Sequence, residues 1–329
     1  MQKTILVTGA NGQLGNEIKV LSPKFPDYHF VFVDVDVLDI TLANAVDSFF
    51  DKHPVAVCIN CAAYTAVDKA EEDKETAYAV NVTGVENLAN ACQRYNAILV
   101  HISTDFVFNG KATVPYAVNT NPDPLSIYGQ TKADGESRAI MLNEKTFLIR
   151  TSWVYSAFGH NFVKTMIRLG KEKTELNVVK DQIGRPTYAA DLAAFILHLI
   201  SIDQLPEYGI YHFANNGMCS WAQLAEAVMH NYGLNCKVNP ITTAQYPTPA
   251  KRPAYSVLNL DSAASVSGVP LMDWEISLKK CIQIIKLNEM LEKIDVHAII
   301  RIAQAAGMEI MKIYDTDDFA VVDKSDNSP

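Results

Sequence analysis

Two side chains near the middle of the chain have types and spacing suited to proton transfer. Tyr128 and Lys132 are four residues apart in a stretch that follows a proline-rich connection and is expected to be helical. Side chains at positions i and i+4 lie on one face of a helix, within contact distance. An ammonium beside a phenol favours the phenolate. We therefore expect Lys132 to lower the pKa of Tyr128 and make it a proton donor or acceptor near neutral pH.

A hydroxyl and a carboxylate are expected at the same place. Thr104 and Asp105 follow the apolar run 97–103, which is typical of a buried strand. Packing explains such polar side chains at a strand end poorly. Ligands of parallel α/β sheets bind at the carboxyl ends of the strands, so both residues are candidates for the same site as Tyr128 and Lys132.

The beginning of the chain predicts a strand, a tight turn and a helix. β-forming residues at 5–8 are followed by Gly9, Gly12 and Gly15, spaced three apart. Glycine allows a sharp turn and a close approach of a pyrophosphate to the backbone, and the helix N-terminus favours the negative charge. This pattern predicts a dinucleotide site. An ordinary glycine-rich loop between strand and helix is the alternative.

Acidic residues follow the second predicted strand, 28–35. Asp34, and after it Asp36 and Asp39, stand at about the distance from the glycine turn where a carboxylate can bind the adenosine ribose hydroxyls. A carboxylate there would also repel a 2′-phosphate, and no Lys or Arg lies between Lys24 and Lys52. Asp34 therefore favours NADH over NADPH. The alternative is that these acids form a solvated loop.

The elements that must position these residues alternate between strands and helices. Apolar runs at 4–8, 28–35, 55–60, 97–103 and 146–151 are separated by helical patterns, including 42–50 and 71–95. This alternation predicts an α/β fold with a Rossmann-type doubly wound parallel sheet in residues 1–150. Residues 151–287, with helices at 162–171, 191–202 and 221–232, are expected to form a smaller C-terminal substrate-binding lobe mixed with elements that return to the Rossmann sheet. Residues 288–329 read as an extra helical tail.

Composition and charge narrow the class of protein. The chain has 329 residues, 49% of them hydrophobic, and a formal net charge of −9 without a basic run. Nucleic acid and membrane surfaces are therefore poor partners. No apolar stretch approaches the roughly 20 residues that span a bilayer, and a strand begins too early for a signal peptide.

The cysteines and histidines predict neither disulfides nor a metal site. Six scattered cysteines suit reduced thiols in a cytoplasmic protein, and the pair Cys58 and Cys61 lies on a predicted buried strand and its exit. We therefore expect these two thiols to pack in the core. The histidines show no paired ligand spacing, so no structural zinc is predicted.

The motifs together resemble a known family. The chain is similar to the extended branch of the short-chain dehydrogenases/reductases, and within it to the dTDP-4-dehydrorhamnose reductase family, over residues 1 to about 287. The resemblance is carried by the glycine turn, Asn81, Thr104, the Tyr128–Lys132 pair and the stretches 61–71, 103–108, 150–155, 181–187 and 246–253.

The resemblance implies hydride transfer from NAD(P)H to C4 of a dTDP-4-keto sugar. Tyr128 would protonate the C4 oxygen, and Thr104 would hydrogen-bond to the same oxygen. Lys132 would hold the nicotinamide ribose, and Asn81 would brace the helix that carries Lys132. The expected coenzyme contacts are Gly9, Asn11, Gly12, Gln13, Leu14, Gly15, Asp34, Asp39, Ile40, Ala62, Ala63, Tyr64, Tyr128 and Lys132. The expected substrate contacts are Thr104, Asp105, Tyr128, Trp153, Asn161 and Arg252, with the last two near the diphosphate.

Several questions stay open at this level. Many family members carry a neutral residue near the position of Asp34, so either NADPH or NADH fits. A Mg²⁺ requirement and a homodimer are open. For Trp153 core packing, and for Arg252 a surface ion pair, are alternatives to substrate contact. Another nucleotide-sugar epimerase or dehydratase, and a non-catalytic nucleotide-binding regulatory subunit, are the competing functions.

The C-terminal tail has a different likeness. Residues 288–326 show helical apolar spacing, and the segment from Met290 resembles the truncated start of a bisphosphate nucleotidase or inositol-monophosphatase protein. The metal-binding acids of such enzymes lie further on in that family and are missing here. We therefore expect no phosphatase activity and a tail that does not take part in catalysis.

Overall fold

The apolar runs of the sequence form strands in a computed structural model that describes residues 2–202, 204–267, 271–292 and 296–314. The strands are β1 (Lys3–Thr8), β2 (Tyr28–Phe32), β3 (Val55–Asn60), β4 (Ile98–Thr104), β5 (Thr146–Thr151), β6 (Val154–Tyr155), β7 (Glu175–Val179), β8 (Ile183–Gly184), β9 (Thr187–Tyr188), β10 (Gly209–His212), β11 (Cys219–Ser220) and β12 (Lys237–Ile241).

Helices occupy most of the intervening chain. They are α1 (Gln13–Leu21), α2 (Ala43–Lys52), α3 (Lys74–Tyr78), α4 (Gly84–Arg94), α5 (Ile127–Leu142), α6 (Phe162–Glu172), α7 (Ala189–Ser201), α8 (Trp221–Tyr232), α9 (Asp261–Val266), α10 (Trp274–Leu291) and α11 (Val296–Tyr314). A π-helical turn, Ala79–Thr83, separates α3 from α4.

The central sheet is parallel and doubly wound, as predicted. Its order is β10-β5-β4-β3-β1-β2, and each neighbouring pair is parallel. Successive side chains of a strand point to opposite faces, so Ile5 and Val7 join one core while Leu6 joins the other. Side chains of α1 and α7 cover the first face, and side chains of α2, α4 and α5 cover the second.

Most predicted elements agree with the structure, and the long helical region 71–95 is the main difference. It is broken into α3, the π-helical turn and α4. The turn contains Asn81, which is fully buried and bonds to groups outside its own helix. The extra residue of a π-turn is a common device for aiming a side chain at a functional site.

The second half of the chain shares the main sheet with the first. β10 pairs with β5, and α7 packs on the same face as α1. Residues 1–283 form one compact unit, and the second half returns elements to the main sheet, as predicted for a lobe mixed with Rossmann elements. The role of 151–287 in substrate binding stays a prediction. The pairs β6–β9, β8–β11 and β7–β12 form small sheets of this second half.

Residues 284–329 form a second unit. The predicted tail helix is present as α11, while 315–326 and the terminal motif at 324–329 lie outside the described residues. The side chains of Ile299, Ile302 and Met308 are exposed. Among the described residues, no helix combines the length and the apolar character that crossing a bilayer requires.

Candidate active site

The turn between β1 and α1 exposes bare backbone at its glycines. Gly9 has a positive φ of +61°, and a Cβ there would come within 2.6 Å of the Ala62 backbone nitrogen. At Gly15 a Cβ would come within 2.6 Å of the Ala10 oxygen, so this glycine lets α1 pack closely on the turn. Gly12 is the N-cap of α1 and makes no side-chain capping bond. The bare backbone at a helix start fits a pyrophosphate.

A cleft of about 930 Å³ opens beside this turn, at the carboxyl ends of the sheet strands. Its size suits a bound small molecule or cofactor. Most of the predicted coenzyme contacts line it, namely Gly9, Gly12, Gln13, Leu14, Asp34, Asp39, Ile40, Ala62, Ala63, Tyr128 and Lys132. The cleft therefore fits a dinucleotide whose diphosphate lies on the turn.

Three of the predicted coenzyme contacts are outside the cleft lining, and each has a local structural role. The backbone N–H of Asn11 donates to Asp34 Oδ2 at 2.9 Å, and Gly15 lets α1 pack closely on the turn. The Tyr64 hydroxyl donates to Asp73 Oδ2 at 3.1 Å. These residues shape the site through their neighbours.

Asp34 is fixed by the backbone at the end of β2. Its carboxylate accepts hydrogen bonds from the backbone N–H groups of Asn11 and Val35, at 2.9 and 2.8 Å. It lines the cleft next to the glycine turn, where the sequence predicts the adenosine ribose. The carboxylate is thus held in place before any ligand arrives.

Tyr128 and Lys132 line the same cleft from one face of α5. The phenol of Tyr128 is buried, and burial raises its pKa to about 12, although a hydrogen bond with Thr104 opposes the rise. The expectation that Lys132 lowers this pKa is wrong for the structure as it stands, because desolvation of the phenolate dominates. Tyr128 is therefore a protonated phenol at neutral pH.

Lys132 is anchored at the end of β4. Its ammonium Nζ donates to the Ile102 carbonyl at 2.7 Å, and the side chain is buried. Burial lowers the pKa of Lys132 to about 8, while the negative charge of Glu136 acts in the opposite direction. Lys132 thus remains mainly charged at neutral pH and points into the cleft.

Asn81 bridges the π-helical turn and α5. Its Oδ1 accepts from the Tyr64 amide at 2.9 Å, and its Nδ2 donates to Thr131 Oγ1 at 3.1 Å. A Cβ at Gly135 would lie 2.1 Å from the Asn81 carbonyl oxygen, so the two segments pack backbone to backbone. This placement next to Lys132 is what the predicted bracing role requires.

Thr104 and Asp105 meet at the end of β4 on the cleft wall. Thr104 Oγ1 accepts from the Phe106 amide at 3.2 Å and donates to Asp105 Oδ1 at 3.1 Å. Asp105 is buried and its Oδ2 has no hydrogen-bond partner among the described residues. Burial raises the pKa of Asp105 to about 6. The side chain of Ser256 also interacts with this carboxyl group, and the oxygen without a partner is buried in the cleft wall.

Trp153 belongs to an aromatic wall that sequence reasoning found only in part. Its ring stacks on Trp221 at a centroid distance of 3.6 Å, and Phe162 packs on Trp221 at 4.6 Å. Trp153 has a φ of +49°, which is strained for a bulky residue, and such strain concentrates at functional sites. Trp221 and Phe162 line the cleft too but were not predicted, because nothing near them in sequence links them to Trp153.

Arg252 lies on the cleft wall in an ion pair. Its guanidinium donates to both carboxylate oxygens of Asp68, at 3.0 and 2.7 Å. The pair also holds the pKa of Asp68 below its usual range. The ion pair is therefore present and Arg252 lines the cleft, while its contact with substrate stays a prediction.

Asn161 has a structural role in this structure. Its Oδ1 caps α6 by accepting from the Lys164 amide at 3.0 Å, and its Nδ2 donates to Gln13 Oε1 at 2.9 Å and to the Ser156 carbonyl at 2.8 Å. Asn161 is not in the cleft lining, whereas Gln13 is. It approaches the site only through Gln13.

We expect a buried histidine to make the fold less stable in acid. His212 is fully buried beside Arg150, and burial lowers its pKa to about 3. Below pH 6.5 the unfolded chain therefore binds a proton that the folded chain refuses, and stability is lost as the pH falls from 6.5 towards 3. Between pH 6.5 and 5 this amounts to about 2 kcal/mol.

Urea unfolding at several pH values between 7 and 5 measures this loss. His212→Gln should reduce the fall in unfolding free energy over that range. His29→Gln, at an exposed position, is the control. An unchanged pH slope in His212→Gln would contradict the assignment.

The fold and the site together define the class. A doubly wound parallel sheet, a glycine turn and a Thr-Tyr-Lys set in one cleft make the protein an oxidoreductase of the extended short-chain dehydrogenase/reductase type. The chain belongs to the family described as the RmlD substrate binding domain, whose model matches residues 2–287. The match ends where the predicted tail begins, and the tail's likeness to a phosphatase stays a prediction.

Relatives agree with this membership. The chain is 42% identical over 287 residues to a dTDP-4-dehydrorhamnose reductase of Aggregatibacter actinomycetemcomitans, covering 84% of this chain and 97% of that one. A crystal structure of the corresponding Clostridium acetobutylicum protein is 44% identical, with a TM-score of 0.82 and coverage of 86% and 99%. The Bacillus anthracis protein in complex with NADP is 40% identical, with a TM-score of 0.81 and coverage of 85% and 99%.

Proposed function

We propose that this protein reduces the C4 keto group of dTDP-4-dehydrorhamnose (dTDP-4-dehydro-6-deoxy-L-mannose) to give dTDP-L-rhamnose. The observation that carries the proposal is the convergence of Thr104, Tyr128 and Lys132 on one cleft beside the glycine turn. Relatives that share about 40% of the sequence over nearly their whole length bear the name of this activity.

The coenzyme is NADPH or NADH, which supplies the hydride when bound. Its diphosphate would lie at Gly9, Gly12 and the start of α1, where the backbone is bare. Ala62 and Ala63, which also line the cleft, leave room for the nicotinamide half near the backbone.

Tyr128 donates the proton to the C4 oxygen. A phenol with a pKa of about 12 is protonated at neutral pH and so is in the form that a donor needs. The charge that develops on its oxygen is stabilised by the ammonium of Lys132, and Thr104 would turn its hydroxyl to hydrogen-bond the C4 oxygen. The positive charge of Lys132 thus matters at the moment of transfer, when the negative charge appears on the Tyr128 oxygen.

The other end of the cleft binds the sugar nucleotide. Asp105 and the ring of Trp153, which both line the cleft, would face the sugar. Arg252 would bind the diphosphate, since a guanidinium fork matches phosphate oxygens and can turn from Asp68 to them. Asn161 would contribute indirectly through Gln13.

Two other functions fit the site less well. Dehydratases of this branch usually have an acidic pair next to the active-site Thr, whereas Asp105 is followed by Phe106. A regulatory subunit without turnover would have no need of the complete Thr104, Tyr128 and Lys132 set that the cleft contains.

The test is an assay of the purified chain with dTDP-4-dehydrorhamnose and each coenzyme in turn. Oxidation of NAD(P)H with formation of dTDP-L-rhamnose supports the reductase. Epimerised or dehydrated sugar without net coenzyme oxidation supports the second function. Tight nucleotide binding without any turnover supports the regulatory subunit.

We expect a preference for NADH that depends on Asp34. At about 4 Å and an effective dielectric of about 20, a carboxylate and a 2′-phosphate repel by roughly 4 kcal/mol before screening. Asp34→Asn should therefore raise kcat/KM for NADPH relative to NADH by at least about tenfold. Asp36→Asn, exposed and outside the cleft, is the matched control. A preference of the wild type for NADPH above tenfold would count against the role of Asp34.

Three partner and location predictions accompany this function. The described residues contain no cluster of three or more His, Cys, Asp or Glu side chains that could hold a metal ion. A need for Mg²⁺, a homodimer and a cytoplasmic location stay predictions.

A further inference from the structure

A second buried carboxylate lies one helical turn beyond Lys132. Glu136 is on α5 and is 3% exposed. Arg150 on β5 donates to both of its oxygens, from Nε to Oε1 at 2.9 Å and from Nη2 to Oε2 at 2.7 Å. Ser103 Oγ on β4 donates to Oε1 at 2.5 Å. Such a fork-to-fork pair fixes the carboxylate in one orientation.

Adjacent residues of β4 hold Glu136 and Lys132. The Ile102 carbonyl accepts from Lys132 Nζ at 2.7 Å, and the next residue, Ser103, donates to Glu136. The residue after that is Thr104, which lines the cleft. The end of β4 thus sets the positions of the lysine, the glutamate and the threonine relative to one another.

Arg150 is itself held from several sides. Its Nη1 donates to the Val118 carbonyl at 3.2 Å and lies 3.5 Å from His212 Nε2, and its guanidinium lies 5.1 Å from the Phe108 ring centroid. Because Arg150 is held in place, the Glu136 carboxylate that it binds is held in place too. Its charge is a fixed part of the site wall.

Among the described residues, Glu136 is the acid that acts on the Lys132 ammonium, and the phenol of Tyr128 shares its helix face. Besides Glu136 on α5, this ammonium interacts with Cys61 at the end of β3 and with His101 on β4. The Cys61 thiol is neutral because burial raises its pKa above the ordinary value, and burial keeps His101 neutral. Arg150 on β5 is the cation that faces Glu136.

We infer that Glu136 is a positioning residue for the reaction: clamped by Arg150 and Ser103 one helical turn from Lys132, it supplies the fixed negative charge that keeps Lys132 charged. This inference rests on the proposed function, because the charge on Lys132 matters for stabilising the Tyr128 oxygen. Without Glu136, the buried ammonium would keep the Ile102 carbonyl as its hydrogen-bond acceptor among the described residues, with a second cation, Arg150, nearby.

The first experiment measures the protonation of Lys132 without any turnover. The protein is labelled with ¹³C at lysine Cε, the Lys132 signal is assigned by its loss in Lys132→Met, and its shift is followed against pH. The wild-type midpoint is expected at about 8. Glu136→Gln, which keeps the shape, should lower the midpoint by at least about one pH unit, because an opposite charge is removed.

A second variant covers the case in which an uncompensated Arg150 unfolds the chain. Glu136→Gln combined with Arg150→Met removes both charges of the buried pair, which is often tolerated. A downward shift is expected there too, but a smaller one, because the repulsion from Arg150 is removed together with the attraction from Glu136. The matched control is Glu86→Gln with Arg138→Met, an exposed ion pair at 3.7 Å whose arginine is also on α5. It should leave the midpoint unchanged.

The second experiment is the pH profile of kcat/KM for sugar reduction. The fall in activity at high pH should move to lower pH in the Glu136 variants and stay in place in the control. A folded Glu136 variant with an unchanged Lys132 midpoint overturns the inference. The proposed function is overturned instead if the wild type binds coenzyme but never reduces the sugar, while the Glu136 variants still lower the Lys132 midpoint.

Discussion

Replacing Tyr128 with Phe should reduce kcat for sugar reduction by at least about 10²-fold, since this is the usual contribution of a positioned general acid. The hydroxyl is the proton source, and the phenyl ring keeps the packing. Tyr128 is buried against Phe106 with the rings edge to face at 5.5 Å, a contact that Phe retains. Stability and the dissociation constant of the coenzyme should therefore change little.

Steady-state kinetics and coenzyme titration of the same preparation separate these effects. Tyr64→Phe is the matched control, because Tyr64 is near the site but its hydroxyl bonds to Asp73 outside the cleft lining. It should keep kcat within a few-fold of the wild type. If Tyr128→Phe lost less than tenfold in kcat, another group would have to be the proton donor.

Replacing Gly9 with Ala should damage both the fold and the coenzyme site. Alanine is strained at a φ of +61°, and its Cβ would lie 2.6–2.7 Å from backbone atoms of Cys61 and Ala62. Strain of about 1 kcal/mol adds to an overpacking cost of about 1–3 kcal/mol, since two backbone segments must separate. We expect a loss of about 3 kcal/mol in unfolding free energy and at least about tenfold weaker coenzyme binding.

Gly233 offers the control for backbone strain alone. It ends α8 with a φ of +82°, and a Cβ there would meet nothing within 4 Å. Gly233→Ala should therefore cost about 1 kcal/mol and leave coenzyme binding intact. Urea unfolding and coenzyme titration of both variants make the comparison. Equal losses of unfolding free energy and of coenzyme affinity in the two variants would show that the contact between the added Cβ and Ala62 has no effect.

The sequence predicted the parallel sheet well, and it singled out residues that the structure brings into one cleft. β3, β5 and α8 begin and end where the apolar patterns place them. The glycine turn, Thr104, Tyr128 and Lys132 meet in one cleft because each follows a strand end or shares one turn of a helix. Such features depend on short-range periodicity, which neighbouring residues fix.

Sequence reasoning failed where two distant segments had to be brought together. Trp221 is far from Trp153 in the chain and yet stacks on it, and the Asp68–Arg252 pair joins residues 184 positions apart. The role of Glu136 also escaped it, since α5 puts Glu136 one turn from Lys132 but only the sheet brings Ser103 and Arg150 to it.

The sequence by itself determined the type of fold, the coenzyme turn and the spacing of the reacting pair, because strand alternation and helical repeat are local properties. Tertiary structure alone decided the charge state of that pair. The pKa of Tyr128 is raised to about 12 because the assembled protein removes water from around the phenol, and this desolvation outweighs a neighbour that spacing had suggested would lower it. Burial depends on every element that packs around a residue, so no window of sequence contains it.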